Sequence, residues 1–198
     1  MHKPPTLNDD QRAIDIYRAA STIIRDKGFD ATSMGDIAEA VDLTKGGLYY
    51  YIKGKAALLF AIMCFALGEL EKRVSTPAEA ISDPEQRLAT LILGHLHLML
   101  AESEAMVVLR DELEGLSPEH RAKIDARYGS FHQLLQETVT EVLDLRGRDD
   151  LDADIVTGTM LSLCEGVVRW AEPGVDRERV VRQVAQLALE GLRSPTAA

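Results

Sequence analysis

A short run of residues that can bind phosphate lies between Thr44 and Lys55. Lys45 and two glycines follow the threonine, and three consecutive tyrosines occupy positions 49 to 51. Ammonium and hydroxyl groups donate hydrogen bonds to phosphate oxygens, and glycine lets a backbone approach a bulky ligand closely. Neighbouring residues of a helix lie about 100° apart, so three consecutive tyrosines cannot all pack into one core. The run therefore indicates phosphate binding; the alternative is a helical hairpin whose tyrosines only pack.

Two short helices would position these groups. Ser33 and Asp36 have the spacing of a capping box, which predicts the start of a helix. After a turn at residues 42–43, Thr44 predicts the start of the next helix. An apolar face at helical spacing supports the first helix and consists of Met34, Ile37, Ala38 and Val41. Two helices joined by a turn of about 3–4 residues present the second helix to a DNA major groove.

Residues 11–60 resemble the DNA-binding domain of the tetracycline-repressor (TetR) family of bacterial regulators. The resemblance is carried by two pieces, IYRAASTIIRDKGFDATSMGDIAEAV and TKGGLYYYIKGKAALL. Gly47 stands where the family often has a Thr or Ser that can touch bases, while Gly54 and Ala56 replace a common cap and a common Glu. These departures leave the expected fold intact but indicate a different operator sequence.

The resemblance implies an all-α protein with two domains. A three-helix, helix-turn-helix DNA-binding domain is expected over residues 10–55, and a six-helix ligand-binding and dimerisation domain over residues 56–194. The residues expected to contact DNA are Thr32, Ser33, Thr44, Lys45, Gly46, Gly47, Tyr49, Tyr50 and Lys55.

The net charge of −10, taken for the whole chain, argues against DNA binding, because duplex phosphates attract basic proteins. The charge is unevenly distributed, however. Residues 1–55 hold eight Lys or Arg and eight Asp or Glu, so the whole excess of acid lies in the remaining 143 residues. The expected DNA-binding segment is therefore neutral, with Lys45, Lys53 and Lys55 close together in sequence.

Composition places the chain among ordinary soluble globular proteins, with 46% hydrophobic and 27% charged residues. Apolar residues recur at helical spacing, and no run reaches the ~18 apolar residues of a membrane helix. The N-terminus lacks the apolar core of a signal peptide, so we expect a cytoplasmic protein without membrane contact. Cys64 and Cys164 lie in apolar surroundings and predict thiols rather than a disulfide.

Helix-capping and helix-breaking residues predict nine helices after a tail at residues 1–9. Three of these helices would form the DNA-binding domain and six the C-terminal domain. Helix one should run from about Asp10 to Lys27 and end at Gly28. Helix four should begin near Lys55 and end by Ser75-Thr76-Pro77. The pairs Asp83-Pro84 and Ser117-Pro118 predict the starts of helices five and seven, and Glu172-Pro173-Gly174 should separate the last two helices.

The last two helices are the expected dimer interface, because in the family the corresponding helices pair as a four-helix bundle across a two-fold axis. Small and apolar residues mark these helices, although an ordinary core would use the same types. The residues expected at the interface are Ile155, Thr159, Ser162, Gly166, Val184 and Leu187.

A pocket for a small apolar effector is expected among helices four, five, seven and eight, where methionines and aromatic residues accompany a few polar ones. The expected lining comprises Met63, Leu91, His95, Met99, Met106, Tyr128, Phe131, Leu135 and Arg169, although such residues also fill cores. The segments VVRWAEPG and RDELEGL resemble the acyl-CoA-responsive branch of the family. An acyl-CoA or fatty acyl effector is therefore favoured, with multidrug or aromatic ligands left open.

Catalysis and metal binding find no support in the motifs. His95 and His97 point to different helix faces, neither cysteine has a partner at ligand spacing, and no nucleophile motif or phosphate loop occurs. We expect no cofactor, no metal and no enzymatic activity. The favoured function is a homodimeric transcriptional regulator, most simply a repressor, that binds a palindromic operator in double-stranded DNA and is released by its effector. The alternative is a small-molecule-binding or carrier protein that keeps the fold without binding DNA.

Overall fold

A computed structural model of the chain describes residues 7–171 and 174–193. Residues 1–6 of the tail expected at residues 1–9, and Glu172-Pro173 of the break expected at Glu172-Pro173-Gly174, lie outside these residues. All regular structure in the described part is helical, which confirms the all-α prediction.

The described residues form nine helices when the α-helical and π-helical segments of Lys55–Glu79 are taken as one helix. A π-helical turn at Glu71–Ser75 lies within that helix, and a 3₁₀ turn at Leu113–Gly115 follows the sixth. The helices are α1 (Leu7–Lys27), α2 (Met34–Ala40), α3 (Lys45–Tyr51), α4 (Lys55–Glu79), α5 (Pro84–Ala101), α6 (Ser103–Asp111), α7 (Pro118–Arg146), α8 (Ala153–Trp170) and α9 (Arg177–Glu190).

Side-chain caps start these helices where the sequence predicts them. The Ser33 hydroxyl accepts from the Asp36 N–H at 3.1 Å, and the Asp36 carboxylate accepts from the Ser33 N–H at 3.0 Å, completing the capping box. The Asp83 carboxylate accepts from the Gln86 N–H at 2.8 Å, with Pro84 at the first position of α5. Gly28 has a φ of +82° and ends α1, as predicted.

Two predicted boundaries are wrong. Helix α1 begins at Leu7 rather than at Asp10, and α4 continues past Ser75-Thr76-Pro77 to Glu79. Proline has no N–H and ends a regular helix because it breaks a hydrogen bond. Here Pro77 lies in the first turn after the π-helical segment, a position that tolerates proline as a helix start does.

The chain forms two compact units. The first contains residues 7–67 with Glu104–Asp125, so it takes in more of the chain than the expected division at residue 55. Its core includes Ile16, Ala20, Ile24, Ile37, Leu48, Leu58, Leu59 and Ile62. The second unit contains Gly68–Ser103 and the described residues from 126 onward. Its core includes Leu88, Leu91, Ile92, Leu96, Phe131, Leu135, Val139 and Val167.

Among the described residues, no single helix is both long enough and apolar enough to cross a membrane. Two pairs of consecutive helices reach the required length and composition only together, and they are bent by 51° and 101°.

Candidate nucleic-acid interface and effector-binding region

Helix α3 turns one apolar residue inward and most of its aromatic surface outward. Leu48 is fully buried, whereas Tyr49 and Tyr50 are 48% and 63% exposed. Tyr51 is half-buried and lies edge-on to Tyr50, with 5.2 Å between ring centroids. The prediction that the three tyrosines cannot all enter the core is confirmed. The hydroxyl-bearing ends of Tyr49 and Tyr50 can donate to phosphate oxygens.

The N-terminus of α3 faces solvent with little covering its backbone. The Thr44 hydroxyl accepts from the Gly47 N–H at 3.0 Å, which confirms the predicted cap. A Cβ at Gly46 would have only the Thr44 hydroxyl within 4 Å, at 3.9 Å, and at Gly47 it would lie 3.3 Å from the same atom. This end of the helix therefore offers uncovered N–H groups, which attract anions.

Lys45 is exposed and its side chain runs across Gly35 of α2. A Cβ at Gly35 would lie 2.9 Å from Cε and 3.4 Å from Nζ of this lysine. Because Gly35 has no side chain, the Lys45 side chain can lie across this position. Sequence reasoning missed this role of Gly35, because the contact joins two helices and no residue spacing in the sequence indicates it.

Two of the residues expected to contact DNA are engaged within the chain. Thr32 is 2% exposed, and its hydroxyl donates to the Gly28 carbonyl at 2.8 Å. Its place in the expected contact set is a mistake, because the hydroxyl serves the α1–α2 connection. Ser33 is exposed, but its hydroxyl caps α2; accepting the backbone N–H of Ser33 lowers the pKa of Asp36.

Lys55 is half-buried and connects the start of α4 to the α1–α2 connection. Its Nζ donates to the Asp30 carbonyl at 2.9 Å and lies 4.4 Å from the centroid of the Phe29 ring. Lys53 remains exposed. Of the three lysines that lie close together in sequence, Lys45 and Lys53 are thus more available to bind phosphate. Lys55 already donates a hydrogen bond within the chain.

A segment far along the chain supports the helix-turn-helix from within the same compact unit. The Glu112 carboxylate accepts from the Phe29 N–H at 3.1 Å, and Arg25 pairs with Glu104 at 2.7 Å. A Cβ at Gly115 would lie 2.8 Å from Leu59 and 3.1 Å from the Phe29 ring, so this turn is closely packed. No sequence signal revealed this support, because its partners are about eighty residues apart in the chain.

In the second unit, the expected effector-binding residues form a buried group on α5 and α7. Leu91, His95 and Met99 follow one another at intervals of four residues, so they share a face of α5. Phe131 and Leu135 are likewise four residues apart and share a face of α7. All five residues are at most 3% exposed. The His95 and Phe131 rings meet edge to face, with centroids 5.1 Å apart.

Two polar groups adjoin these rings. His95 is 1% exposed, and neither ring nitrogen has a hydrogen-bond partner among the described residues. Burial lowers the pKa of His95 to about 4, so the imidazole is neutral at pH 7. The Tyr128 hydroxyl donates to the Glu165 carboxylate at 2.6 Å. Burial, followed by the charge of Glu165, raises the pKa of Tyr128 and keeps that hydroxyl protonated.

The remaining residues of the expected pocket are Met63, Met106 and Arg169. Met63 and Met106 are buried in the first compact unit. Arg169 is exposed at the end of α8 and has no ion pair with any residue that the structure describes. Four basic residues of α6 and α7 are paired with carboxylates: Arg110 with Asp111, Arg121 with Asp125, Lys123 with Glu119 and Arg127 with Glu71.

Helices α8 and α9 expose large apolar side chains. Ile155, Trp170 and Leu187 are 70%, 56% and 71% exposed, and Leu163 is 39% exposed. Thr159 and Ser162 are exposed too, with hydroxyls that donate to carbonyls of their own helix. Gly166 is half-buried and Val184 is only 9% exposed, so Val184 packs mainly within its own chain. Trp170 and Val184 line a groove of about 270 Å³ with Val175, Asp176, Arg179, Val180 and Gln183.

The cysteines remain thiols, as predicted, since no disulfide joins Cys64 and Cys164. Burial raises the pKa of Cys164 to about 12. Within residues 7–171 and 174–193, no three His, Cys, Asp or Glu side chains come together as metal ligands would.

Comparison with known proteins identifies the family. Residues 82–192 match the family model described as tetracyclin repressor-like, C-terminal domain, and residues 16–62 match that of bacterial regulatory proteins, tetR family. The HTH-type transcriptional repressor KstR2 of Rhodococcus jostii (strain RHA1) is 25% identical over 200 residues, which cover 97% of this chain and 98% of that protein.

Two solved structures are similar over most of the chain. AibR in complex with isovaleryl coenzyme A and operator DNA has a TM-score of 0.79 and 27% identity, covering 89% of this chain and 97% of AibR. The regulator PfmR of Thermus thermophilus has a TM-score of 0.79 and 26% identity, covering 90% of this chain and 99% of PfmR. Because the C-terminal family model alone spans more than half of the chain, the protein belongs to the tetR family of DNA-binding bacterial transcription regulators.

Proposed function

We propose that the protein is a homodimeric repressor that binds a palindromic operator and is released by a small apolar effector, with an acyl-CoA as the first candidate. The observation that carries the DNA-binding part is the exposed N-terminus of α3. Lys45, the uncovered backbone at Gly46 and the outward tyrosines lie together there. These groups suit phosphate contacts that hold a recognition helix in the major groove.

Dimerisation would bring two such helices to one operator. The exposed apolar side chains of α8 and α9 support an interface there, because contiguous apolar surface usually marks an association site. In a two-fold dimer the same patch serves both subunits, and the recognition helices reach half-sites about 34–36 Å apart or a related distance.

The buried group of the second unit supports an apolar effector. His95 combines deep burial with unused hydrogen-bonding capacity in an apolar setting, which suits a ligand that is largely apolar and carries one polar group. The similarity to AibR, whose structure holds isovaleryl coenzyme A, makes an acyl-CoA the first candidate. Arg169 would then serve a phosphate of the coenzyme.

Release requires only that the effector bind one conformational state more tightly than the other. At saturating effector, the equilibrium constant between the two states then shifts away from the DNA-binding state by the ratio of the two affinities. The regulator would act as a repressor whose operator becomes free as the acyl-CoA accumulates.

The DNA-binding part is tested by operator binding as a function of salt, with labelled DNA from the region flanking the protein's own gene. Lys45→Ala should weaken binding to all sequences similarly and reduce the salt slope by about one, because one phosphate contact is lost. Lys72→Ala removes an exposed lysine of the second unit and serves as the control. Wild-type affinity of Lys45→Ala at every salt concentration would contradict the assignment.

The effector is tested by titrating a chain-length series of acyl-CoAs into the preformed operator complex. Micromolar release by one chain length, weakened in Arg169→Ala but not in Arg193→Ala, supports the proposal. No release by any chain length rejects an acyl-CoA effector. Failure to bind any flanking DNA, together with tight acyl-CoA binding, would instead favour a carrier protein that keeps the fold.

A further inference from the structure

Three rings and one carboxylate form a continuous cluster in the second unit, here called the ring cluster: His95, Phe131, Tyr128 and Glu165. Phe131 lies in the middle, with its centroid 5.1 Å from that of His95 and 6.2 Å from that of Tyr128. Glu165 of α8 closes the far end by accepting the Tyr128 hydroxyl at 2.6 Å. The cluster thus joins α5, α7 and α8 around an imidazole at one end and a carboxylate at the other.

The imidazole end has unused hydrogen-bonding capacity. A neutral imidazole carries one N–H donor and one acceptor nitrogen, and neither atom of His95 has a partner in the described part of the chain. A buried polar group without a partner is unfavourable, and native proteins seldom keep one without a reason. A bound molecule with a carbonyl or hydroxyl group would supply the hydrogen-bond partner that His95 lacks.

The cluster contains a negative charge and no positive one. Burial keeps His95 neutral at pH 7, and the Tyr128 hydroxyl is already committed to Glu165. Four arginines of this unit are buried or half-buried among the described residues, and each pairs with a carboxylate: Arg87 with Glu141, Arg127 with Glu71, Arg146 with Glu85 and Arg148 with Asp150.

The nearest basic residue on α8 does not change this balance. Arg169 follows Glu165 by one helical turn, but it is exposed and makes no ion pair with that carboxylate. A cation at that position can meet a charged group in solvent, outside the apolar interior. The surroundings of His95 therefore lack a partner for an anion.

We infer that the ring cluster selects an effector whose buried polar group is uncharged, such as a thioester, ester or alcohol, and discriminates against a free carboxylate. The inference rests on the proposed effector-binding function and specifies its ligand class. A thioester or ester carbonyl accepts from His95 at no cost in charge burial. A carboxylate at His95 would be buried without a cation, and the charge of Glu165 at the other end of the cluster would repel it through the apolar interior. Both effects oppose its binding.

The test compares probes that differ in charge but share a chain length: octanoic acid with methyl octanoate, and lauric acid with methyl laurate. Binding to the full-length protein is measured by calorimetry at pH 7.5. We expect each ester to bind at least tenfold more tightly than its acid. Glu165→Gln keeps an acceptor for Tyr128 while removing the charge, and it should reduce the difference to threefold or less by improving the affinity of the acid.

Two further variants test whether the selectivity depends on the ring cluster. His95→Phe should lower ester affinity about tenfold and leave operator affinity unchanged, whereas Glu137→Gln removes an exposed carboxylate of α7 and should change neither affinity. Acids that bind the wild type as tightly as the esters, or a difference that persists in Glu165→Gln, overturn the selectivity while leaving an apolar effector in place. If neither acids nor esters bind and no acyl-CoA releases the operator, the selectivity and the effector proposal both fall, and operator binding is judged separately by the salt titration.

Discussion

At Gly46, the residue type that would best stabilise the free protein differs from the type that we expect DNA binding to require. It lies in the exposed first turn of α3, and an added Cβ would find open space around it. Folding alone therefore gives no reason for glycine here, because alanine favours helices by up to about 1 kcal/mol. Under the proposed function, a close approach of the backbone to the duplex would supply that reason.

Gly46→Ala should therefore raise the stability of the free protein and weaken operator binding. We expect a gain of about 0.5–1 kcal/mol in the free energy of unfolding and a loss of affinity of at least about tenfold, or 1.4 kcal/mol. Urea unfolding and anisotropy with labelled operator measure the two effects. Gly129→Ala, at an exposed and equally open position of α7, should show only the gain in stability. Unchanged operator affinity in Gly46→Ala would speak against a close backbone approach.

His95 should make stability depend on pH. Its pKa is about 4 in the folded protein against an ordinary value of 6.5, so between these values the unfolded chain binds the proton that the folded protein rejects. Stability is therefore complete above pH 6.5 and is lost as the pH falls towards 4. Between pH 7 and pH 5 the loss is about 2 kcal/mol.

Urea unfolding at pH 7 and pH 5 checks this dependence in the wild type and in His95→Phe. The variant should lose about 2 kcal/mol less than the wild type over that interval, whereas His97→Gln, at an exposed histidine of the same helix, should behave as the wild type does. Equal losses in wild type and His95→Phe would rule out a neutral, buried imidazole as their source.

Individual site residues were predictable from sequence where their partners are neighbours. Ser33 and Thr44 were found because a cap requires only a spacing of three residues. Thr32 was misassigned because its orientation depends on the Gly28 carbonyl behind it, and Gly35 was missed because it meets a lysine of another helix. Interaction range explains why Gly35 was missed, whereas the partner of Thr32 is only four residues away but matches no helix-capping pattern.

At the scale of elements, α6 and the 3₁₀ turn after it belong with the helix-turn-helix in one compact unit. Glu112 holds the backbone of the α1–α2 connection at Phe29, and Gly115 packs against the same residue. This connection fixes the direction in which α2 and then α3 leave α1. The segment that follows α6 therefore contributes to the position of α3.

Glu112→Ala should accordingly loosen the α1–α2 connection and weaken operator binding. Loss of the hydrogen bond to the Phe29 N–H should cost about 1 kcal/mol of stability and speed hydrogen exchange of that amide. Glu112→Gln keeps an acceptor oxygen and should largely restore both properties, and Glu114→Ala in the same turn is the neutral control. Normal exchange at Phe29 in Glu112→Ala would show that the carboxylate does not hold the connection in solution.

Helix α4 illustrates what the sequence could not reveal about elements. Its start at Lys55 follows from local signals, but Ser75-Thr76-Pro77 was interpreted as its end. The π-helical turn at Glu71–Ser75 widens the helix just before the proline and packs Val74 against Gly94 of α5. This contact between segments that are distant in sequence accompanies the continuation of α4 past Pro77, and no periodicity within α4 indicates it.

At the scale of the whole molecule, the distribution of exposed apolar residues matters most. Large apolar side chains of α8 and α9 face solvent in the single chain, while Val180, Val184 and Leu192 of the same helical region are buried within it. The apolar residues of these two helices thus divide into buried ones that stabilise the single chain and exposed ones that are available for association. Leu187 belongs to the exposed ones, with 71% of its surface exposed.

Leu187→Glu should therefore dissociate a dimer without unfolding the subunit. A carboxylate at an exposed position is solvated in the monomer, but burying it in an interface costs several kcal/mol. Sedimentation should show a monomer, and operator affinity should fall sharply. Leu145→Glu, at a leucine of α7 that is 64% exposed, should leave the dimer intact. A wild-type monomer, or a Leu187→Glu dimer, would remove α8 and α9 as the interface.

The contact between Lys45 and Gly35 has a consequence for the thermodynamics of recognition. A free lysine side chain samples many rotamers, and fixing them on binding costs up to about 2 kcal/mol. Because the stem of Lys45 already lies against the α2 backbone, part of that freedom is lost when the protein folds. Conformational entropy is thereby lost on folding, so in the proposed complex the ammonium group would bind a phosphate with a smaller entropic loss and from a better-defined direction.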